Sequence, residues 1–208
     1  MVLDAYRNTA DVVLQPLATR LAHVHPDVFT WTAFGCALLA GTGFLIGGTG
    51  FLLLGVLGVL GNALFDALDG KVARVAGRAS RRGDFLDHVL DRYADVFMLA
   101  GIAFGVYSGN LALGLISILG VLLASYMGTQ AQAVGVGRDY GGLLGRADRL
   151  VILLVAGILQ LFVPPTTRLG ISPLLLSPLE WSLALFAVLG HFTAIQRALT
   201  AWERLGGR

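Results

Sequence analysis

Four aspartates at regular spacings are the residues of this chain best suited to chemistry. Asp66 and Asp69 are three residues apart, and Asp87 and Asp91 are four apart. On a helix, either spacing places both side chains on one face. The short basic stretch 75–82 between the two pairs predicts that their helices are antiparallel and adjacent. We therefore expect the four carboxylates to face one another.

Such a group of carboxylates predicts a site for divalent cations. Carboxylates close together repel one another, and in a membrane each is costly unless it is paired or solvated. All-oxygen acidic sites suit Mg²⁺, Mn²⁺ or Ca²⁺, whereas Zn²⁺ more often recruits His or Cys. His88 directly follows Asp87, which turns its side chain about 100° away on a helix. Because Mg²⁺ held by carboxylates usually shares its shell with substrate phosphates, the pattern indicates a two-metal site that clamps a phosphate ester.

The residues around the aspartates suit the approach of a large anionic ligand. Gly70, Ala73 and Gly83 are small enough to let a bulky ligand reach the helix backbone. Arg74 can pair with a phosphate. The same stretch therefore offers both cation ligands and a phosphate partner.

The elements that must position these residues are membrane helices. Of 208 residues, 56% are hydrophobic and only 13% are charged, about half the charged share of a soluble domain. This composition excludes disorder and a nucleic-acid-binding tail, and a single cysteine excludes a disulfide scaffold. Six segments are predicted to span a bilayer, namely Val28–Gly48, Phe51–Phe65, Val96–Tyr107, Leu111–Met127, Leu150–Val163 and Leu179–Leu199. The fold class is thus an all-α integral membrane protein.

The N-terminal residues 1–22 are predicted to form an amphipathic helix on the membrane surface, followed by one six-helix domain over residues 23–208. The apolar positions recur at helical spacing, at Leu3, Tyr6, Ala10, Val13, Leu14 and Leu17. With six spans, 14 of the 15 Lys and Arg residues lie on one side, and only Arg168 lies opposite. The positive-inside rule then places both termini and the acidic segment in the cytoplasm.

The complete acidic segment resembles a known family signature. Asp66-x2-Asp69-Gly70-x2-Ala73-Arg74-x8-Gly83-x3-Asp87-x3-Asp91 is similar at every fixed position to the signature of the CDP-alcohol phosphotransferase family, also called class I CDP-alcohol phosphatidyltransferases. Pro26 and Thr30 resemble the family's Pro-Asn-x-x-Thr entry to the first span, with Asp27 in place of Asn. The six spans and the N-terminal surface helix also fit that family.

The resemblance implies transfer of a phosphatidyl-type group from a CDP-linked lipid, CDP-diacylglycerol or CDP-archaeol, to a polar alcohol, with release of CMP. It implies two Mg²⁺ or Mn²⁺ ions held by Asp66, Asp69, Asp87 and Asp91, with Asp91 also acting as the general base. The CDP group would contact Asp66, Asp69, Gly70, Ala73, Arg74 and Gly83, together with Pro26 and Thr30. The resemblance also allows a homodimer.

The second polar loop, with the residues that flank it (Ser125–Gly135 and Gly142–Arg149), resembles the branch of the family that makes inositol-phosphate lipids. This resemblance makes inositol 1-phosphate the expected acceptor. The acceptor candidates on this resemblance are Arg146, Arg149, Tyr126 and Gln130. Three positions depart from the branch pattern: Gly128 replaces a basic residue, and Gln132 and Gly145 replace Glu. Glycerol phosphate, serine and other small alcohols therefore stay open as acceptors.

The charged residues also allow a different class of function, a cation-coupled transporter. A transport path needs polar groups that reach the far leaflet, and the segments Ala100–Tyr107 and Phe51–Leu60 offer none. The transferase is therefore favoured. Of the charges outside the signature, Arg78, Arg81 and Arg82 are interpreted mainly as topology and surface anchors. Asp84 is interpreted as a solvated charge at a helix start, and Asp95 as the partner of a neighbouring cation.

Overall fold

The described part of the chain consists of seven helices and one pair of short strands. In this computed structural model the backbone is described for residues 7–137, 141–164, 169–171 and 174–206, and the side chains from residue 14 onward within those ranges except 171 and 174. The helices are α1 (Arg7–Arg20), α2 (Pro26–Ile46), α3 (Thr49–Val75), α4 (Arg81–Ala103), α5 (Leu111–Ala133), α6 (Arg146–Leu161) and α7 (Pro178–Gly206).

Four of these helices, α2, α3, α5 and α7, are long and apolar enough to cross a membrane. The two other predicted spans overlap α4 and α6. Helix α6 has 16 residues, and the first half of α4 is rich in charged side chains. The predicted helical fold is therefore confirmed, and these four helices are consistent with an integral membrane protein. The count of six spans and the orientation of the termini stay predictions.

Helix α2 packs closely against both α3 and α4, whereas the backbones of α3 and α4 hardly approach each other and these two helices meet through long side chains. Glycines allow this arrangement. A Cβ added at Gly101 of α4 would collide with the backbone of Gly41 in α2, and one at Gly43 would collide with the backbone of α3 at Gly55. Helices α3 and α4 thus follow each other through a short reversal and face each other through their aspartates, as predicted, but their backbones are not closely packed. Close packing of α2 on both helices holds them apart and leaves a cleft between their charged ends.

The core joins these helices to α5, α6 and α7. The largest fully buried side chains include Phe44, Met98, Tyr107 and Phe186. Helix α5 packs against α4 and α7, and α6 packs against α3 and α7. The start of α6 is consequently brought against the polar half of α3.

The described half of α1 packs against α3 through a second apolar cluster. Ala18 is fully buried there beside Leu68, Val72 and Phe29. Leu14 adds to this contact, whereas Leu17 is exposed. The predicted apolar positions Leu3, Tyr6, Ala10 and Val13 lie outside the residues whose side chains are described.

The segment 164–178 contains no continuous helix in its described residues, as its prolines predict. Two short antiparallel strands, β1 (Leu169–Ile171) and β2 (Leu174–Leu176), pair there and were not predicted. The buried Glu180 of α7 accepts hydrogen bonds from the backbone N–H groups of Gly109, at 2.7 Å, and Ser177, at 2.9 Å. This carboxylate ties the α4–α5 turn to the start of α7. Arg138, Arg168 and Arg208, which entered the topology prediction, lie outside the described residues.

Candidate active site

The connection between α3 and α4 is a tight reversal built from a glycine and a serine. Gly77 adopts φ +64°, and the backbone N–H of Arg78 donates to the carbonyl of Ala73 at 2.9 Å. This is the hydrogen-bonding pattern of a helix end closed by a left-handed glycine. Ser80 then caps α4, because its Oγ accepts from the backbone N–H of Gly83 at 3.1 Å. The reversal brings the end of α3 and the start of α4 to the same cleft.

That cleft is a cavity of about 530 Å³. Its wall comes from the start of α2, the end of α3, the connection and the first turns of α4. Seven of the predicted donor-binding residues line it, namely Pro26, Thr30, Asp69, Gly70, Ala73, Arg74 and Gly83. The eighth, Asp66, lines a narrow gap deeper between the helices.

The cavity also has a cationic rim that was not assigned to it. Arg78 and Arg82 line the cavity together with Arg74, whereas Arg81 is not among the lining residues. Residues 82–84 at the start of α4 line the same space, where the helix dipole favours negative charge. In the sequence these arginines belong to the basic run Arg78, Arg81 and Arg82, whose spacing favours a role in topology and surface anchoring.

Three aspartates meet at the inner end of the cavity. Asp66, Asp69 and Asp87 each offer an oxygen, and these atoms lie within 4.8 Å of one another. Asp87 belongs to a second group of the same size with His88 and Asp91. The structure thus brings together the four aspartates that the sequence predicted to meet, although the backbones of their helices are not closely packed.

The prediction that His88 points away from this site is wrong. Its Nδ1 lies 3.6 Å from Asp87 and its Nε2 lies 3.3 Å from Asp84. The imidazole lies between these two carboxylates. The helical turn of about 100° from Asp87 to His88 therefore does not by itself decide where the ring lies. Asp84 itself is in the first turn of α4 with its side chain 71% exposed, as predicted.

The donor set fits a divalent cation. Asp69 Oδ2 and Asp87 Oδ1 are buried and have no hydrogen-bond partner within the described parts of the chain. Leaving ionised oxygens in this state is costly, and a cation bound between them would remove the cost. The ligands are mainly carboxylate oxygens, which suits Mg²⁺ or Mn²⁺.

Arg146, the first residue of α6, contacts two of the four aspartates. Its guanidinium contacts Asp66 and lies 2.6 Å from Asp91 Oδ1. The chain just before it is held by α7, because Leu144 N–H donates to Thr193 Oγ1 at 3.1 Å and Arg197 donates to the Gly141 carbonyl at 2.8 Å. The sequence had placed Arg146 among the acceptor candidates but not against the aspartates, because the two segments are far apart in the chain.

Arg149 lies in a buried ion-pair network rather than along the cavity. Its guanidinium is 2.8 Å from Asp95, which confirms that Asp95 pairs with a neighbouring cation. Arg92 lies 3.5 Å from Asp95 and 3.7 Å from Asp91, and it also donates to Ser125. Sequence reasoning missed Arg92, for which the signal was its position directly after Asp91.

The two other acceptor candidates lie on α5. Tyr126 and Gln130 are not among the residues that line the cavity or the deeper gap, and the side chain of Tyr126 is exposed. Gly128, which stands where the acceptor pattern has a basic residue, is buried in the same helix. The roles of Tyr126, Gln130 and Arg149 in acceptor binding stay predictions.

Comparison with known proteins gives one consistent result. The family model described as CDP-alcohol phosphatidyltransferase matches residues 23–195. An archaetidylinositol phosphate synthase of Methanothermobacter thermautotrophicus is 30% identical over 204 residues, which cover 98% of this chain and 96% of that protein. A phosphatidylinositol phosphate synthase of Cutibacterium acnes is 32% identical over 212 residues, with 98% and 96% of the two chains covered.

Two solved structures of similar fold are of a phosphatidylinositol phosphate synthase, the same kind of protein as the Cutibacterium acnes relative. A crystal structure of Mycobacterium tuberculosis phosphatidylinositol phosphate synthase with CDP-DAG bound superposes with a TM-score of 0.72 at 27% identity, covering 91% of this chain and 94% of that one. A second crystal structure of the same protein, in complex with manganese and citrate, gives a TM-score of 0.69 at 27% identity, with 91% and 88% covered.

Proposed function

This chain belongs to the CDP-alcohol phosphatidyltransferase family, and we propose that it transfers a phosphatidyl-type group from a CDP-linked lipid to inositol 1-phosphate with release of CMP. The observation that carries this proposal is the convergence of the four aspartates at the inner end of a cavity with a cationic rim. A diphosphate donor needs both features, cation ligands for its phosphates and cationic side chains beside them.

The cavity is proposed as the site of the CDP group. The small residues Gly70, Ala73 and Gly83 leave room in the cavity for a ligand. A Cβ added at Gly83 would lie only 3.3 Å from Ser80 Oγ. Arg74 and the start of α4 supply positive charge for the diphosphate. A related protein of known structure has CDP-DAG bound, which supports a CDP-lipid as the donor here.

Asp66, Asp69 and Asp87 are proposed to hold divalent cations, with Asp91 as a further ligand. Bound Mg²⁺ or Mn²⁺ would offset charge on the phosphates and make CMP a better leaving group. The two overlapping groups of ligands, which share Asp87, support two ions. A related protein has been crystallised with manganese, and the acidic set here does not by itself distinguish the two metals.

Asp91 is proposed as the general base. It is 7% exposed and lies next to the metal ligands, beside the guanidinium of Arg146. In the reaction the acceptor hydroxyl attacks the lipid-side phosphorus and passes its proton to the Asp91 carboxylate, while the bridging oxygen leaves with CMP. Arg146 is proposed to bind the acceptor's phosphate, since it is a guanidinium within reach of the base.

The membrane arrangement is part of the proposal. Six spans with both termini in the cytoplasm would place the cavity and the four aspartates at the cytoplasmic surface. The donor's lipid chains would then stay in the bilayer while its nucleotide enters from the cytoplasmic side. The apolar exposed faces of α2, α3, α5 and α7 are consistent with contact to lipid.

The test is CMP release by the purified protein with Mg²⁺ and either CDP-diacylglycerol or CDP-archaeol. Each donor is offered with myo-inositol 1-phosphate, glycerol 3-phosphate, serine or free inositol. We expect release with inositol 1-phosphate that stops when the metal is chelated and returns when Mg²⁺ is restored. Release with another acceptor alone would keep the chemistry and replace the acceptor, and metal-independent release would overturn the role of the aspartates.

A further inference from the structure

Helices α4 and α6 are linked by long side chains rather than by close backbone packing. Their backbones hardly approach each other, although each packs closely against other helices. Two ion pairs bridge the space between them, with Arg149 2.8 Å from Asp95 and Arg146 2.6 Å from Asp91. The two arginines are three residues apart on α6 and the two aspartates are four apart on α4, so each set lies on one face of its helix. The first turn of α6 is therefore attached to α4 by two rungs.

The inner rung, Arg149–Asp95, lies outside the proposed site. Neither residue lines the cavity or the deeper gap, and their side chains are only 5% and 4% exposed. Within the described parts of the chain, Asp95 is the one hydrogen-bond partner of the Arg149 side chain, whose Nε is buried without a partner. This rung thus holds α6 without taking part in the proposed chemistry.

Asp95 also separates two cations. Its Oδ2 atom lies 2.8 Å from the guanidinium of Arg149 and 3.5 Å from that of Arg92. Without the carboxylate these buried guanidinium groups would repel each other with little screening by solvent. Arg92 is also bonded to Ser125 of α5, whereas Arg149 has no second partner within the described residues. Arg149 and the first turn of α6 are therefore the parts that would move.

Movement of this turn would displace Arg146, which lies three residues before Arg149 on the same helix. The chain ahead of Arg146 is held by α7, through the bond from Leu144 N–H to Thr193 Oγ1. The turn is thus fixed by α7 before Arg146 and by Asp95 after it. A misplacement of about 1 Å in a binding group can cost about 10²-fold in rate.

We propose that Asp95 is a positioning residue for the acceptor, because through Arg149 it fixes the first turn of α6 where Arg146 can bind the acceptor's phosphate. This inference rests on the proposed function, since it takes Arg146 as the ligand of that phosphate. It gives Arg149 an indirect role in acceptor binding, by support of Arg146 rather than by contact. It also adds to the functional set a residue that lies outside the signature.

The experiment is steady-state CMP release with CDP-lipid and Mg²⁺ at varied inositol 1-phosphate, in the wild-type protein and in Asp95→Asn. We expect the KM for inositol 1-phosphate to rise at least about tenfold in the variant, because Arg146 is displaced. The kcat at saturating acceptor and the equilibrium affinity for the CDP-lipid should stay near wild type, because Asp95 does not line the cavity.

Three comparisons distinguish positioning from a general loss of structure. Gly101→Ala, which disturbs the packing of α4 on α2 but not the ion pairs, should leave the KM for the acceptor unchanged. Arg149→Lys keeps the cation and should lie closer to wild type than Arg149→Gln. In an Arg146→Gln background, Asp95→Asn should raise the KM little further, because its effect passes through Arg146.

A double variant serves if Asp95→Asn does not fold. Asp95→Asn combined with Arg149→Gln removes both charges of the rung, so neither is left buried alone. We expect this double variant to fold and to show the same rise in KM for the acceptor. A wild-type KM in the folded double variant would overturn the positioning role.

The outcomes separate this proposal from the proposed function. The positioning role is overturned if folded Asp95→Asn has a wild-type KM for the acceptor, if its affinity for the CDP-lipid falls in parallel, or if its effect is undiminished in the Arg146→Gln background. In each of these cases the proposed function stands as long as the wild-type protein transfers to inositol 1-phosphate. If the wild-type protein transfers to no phosphorylated acceptor, the proposed acceptor class fails and the positioning role fails with it.

Discussion

The proposed base can be tested by replacing Asp91 with asparagine, which keeps the shape of the side chain but removes its charge and its capacity to accept a proton. The amide carbonyl of the substituted side chain can still accept a hydrogen bond from Arg146. A general base contributes about 10²–10⁴-fold to a reaction rate. We therefore expect kcat for CMP release with acceptor to fall by about 10²–10⁴-fold in Asp91→Asn.

The structure also bounds the effect of this change on stability. Breaking a buried ion pair by removing one partner costs about 3–5 kcal/mol when the other charge is left alone. In Asp91→Asn neither cation is left alone, because Arg146 keeps its contact with Asp66 and Arg92 keeps Asp95 at 3.5 Å. The loss of unfolding free energy should therefore stay below about 3 kcal/mol.

The assay combines turnover with donor binding. Steady-state CMP release is measured beside equilibrium binding of the CDP-lipid, and thermal unfolding is recorded in the same detergent. Glu203→Gln serves as the control, because it removes one negative charge from an exposed position on α7. The reasoning is refuted if Asp91→Asn retains more than about a tenth of wild-type turnover. It is also refuted if donor affinity falls in parallel with kcat, since the aspartate would then act in binding.

Three further predictions concern the metal site and the packing around it. Asp69→Asn should weaken Mn²⁺ binding at least about tenfold, as measured by electron paramagnetic resonance, because it removes one ligand of the acidic group; unchanged affinity would remove Asp69 from the metal site. Asp95→Asn should lower the unfolding free energy by about 3–5 kcal/mol, since the buried Arg149 would lose the carboxylate that lies 2.8 Å from its guanidinium; thermal unfolding measures this, and a wild-type midpoint would contradict it. Gly101→Ala should lower the free energy of unfolding by about 1–3 kcal/mol, because the added Cβ meets backbone rather than a movable side chain. Gly35→Ala, whose Cβ would have nothing within 4 Å, should leave the thermal unfolding midpoint unchanged. Equal effects of the two substitutions would refute the close packing.

The residues of the site could be named from the sequence because short-range spacing carries the chemistry. Asp66 and Asp69 share a helix face, as do Asp87 and Asp91, and these relations depend only on helix geometry. The cavity-lining glycines also follow from their place within the same segment. The spacing did not indicate that a cleft separates the backbones of the two helices, because that separation depends on a third helix, α2, which packs against both.

The contacts of Arg146 could not be predicted from the sequence. Its residue type and its place in the second polar loop made it a candidate for binding an anion, but nothing near it in the sequence indicated Asp66 or Asp91. The contact arises because α6 packs against α3 and α7 holds the chain ahead of it. Arg149 shows the same point, since it lies three residues further along but is buried against Asp95 instead.

The sequence by itself indicated a helical protein with membrane-spanning helices and predicted which four aspartates meet, because composition and local periodicity act over a few helical turns. The tertiary structure decided how those aspartates meet and what stands beside them. Glycine contacts between α2 and its two neighbours open the cleft, and the packing of α6 brings a cation to the proposed base. Such contacts depend on the shapes of helices that are distant in the chain, and this is the reason that spacing alone could not supply them.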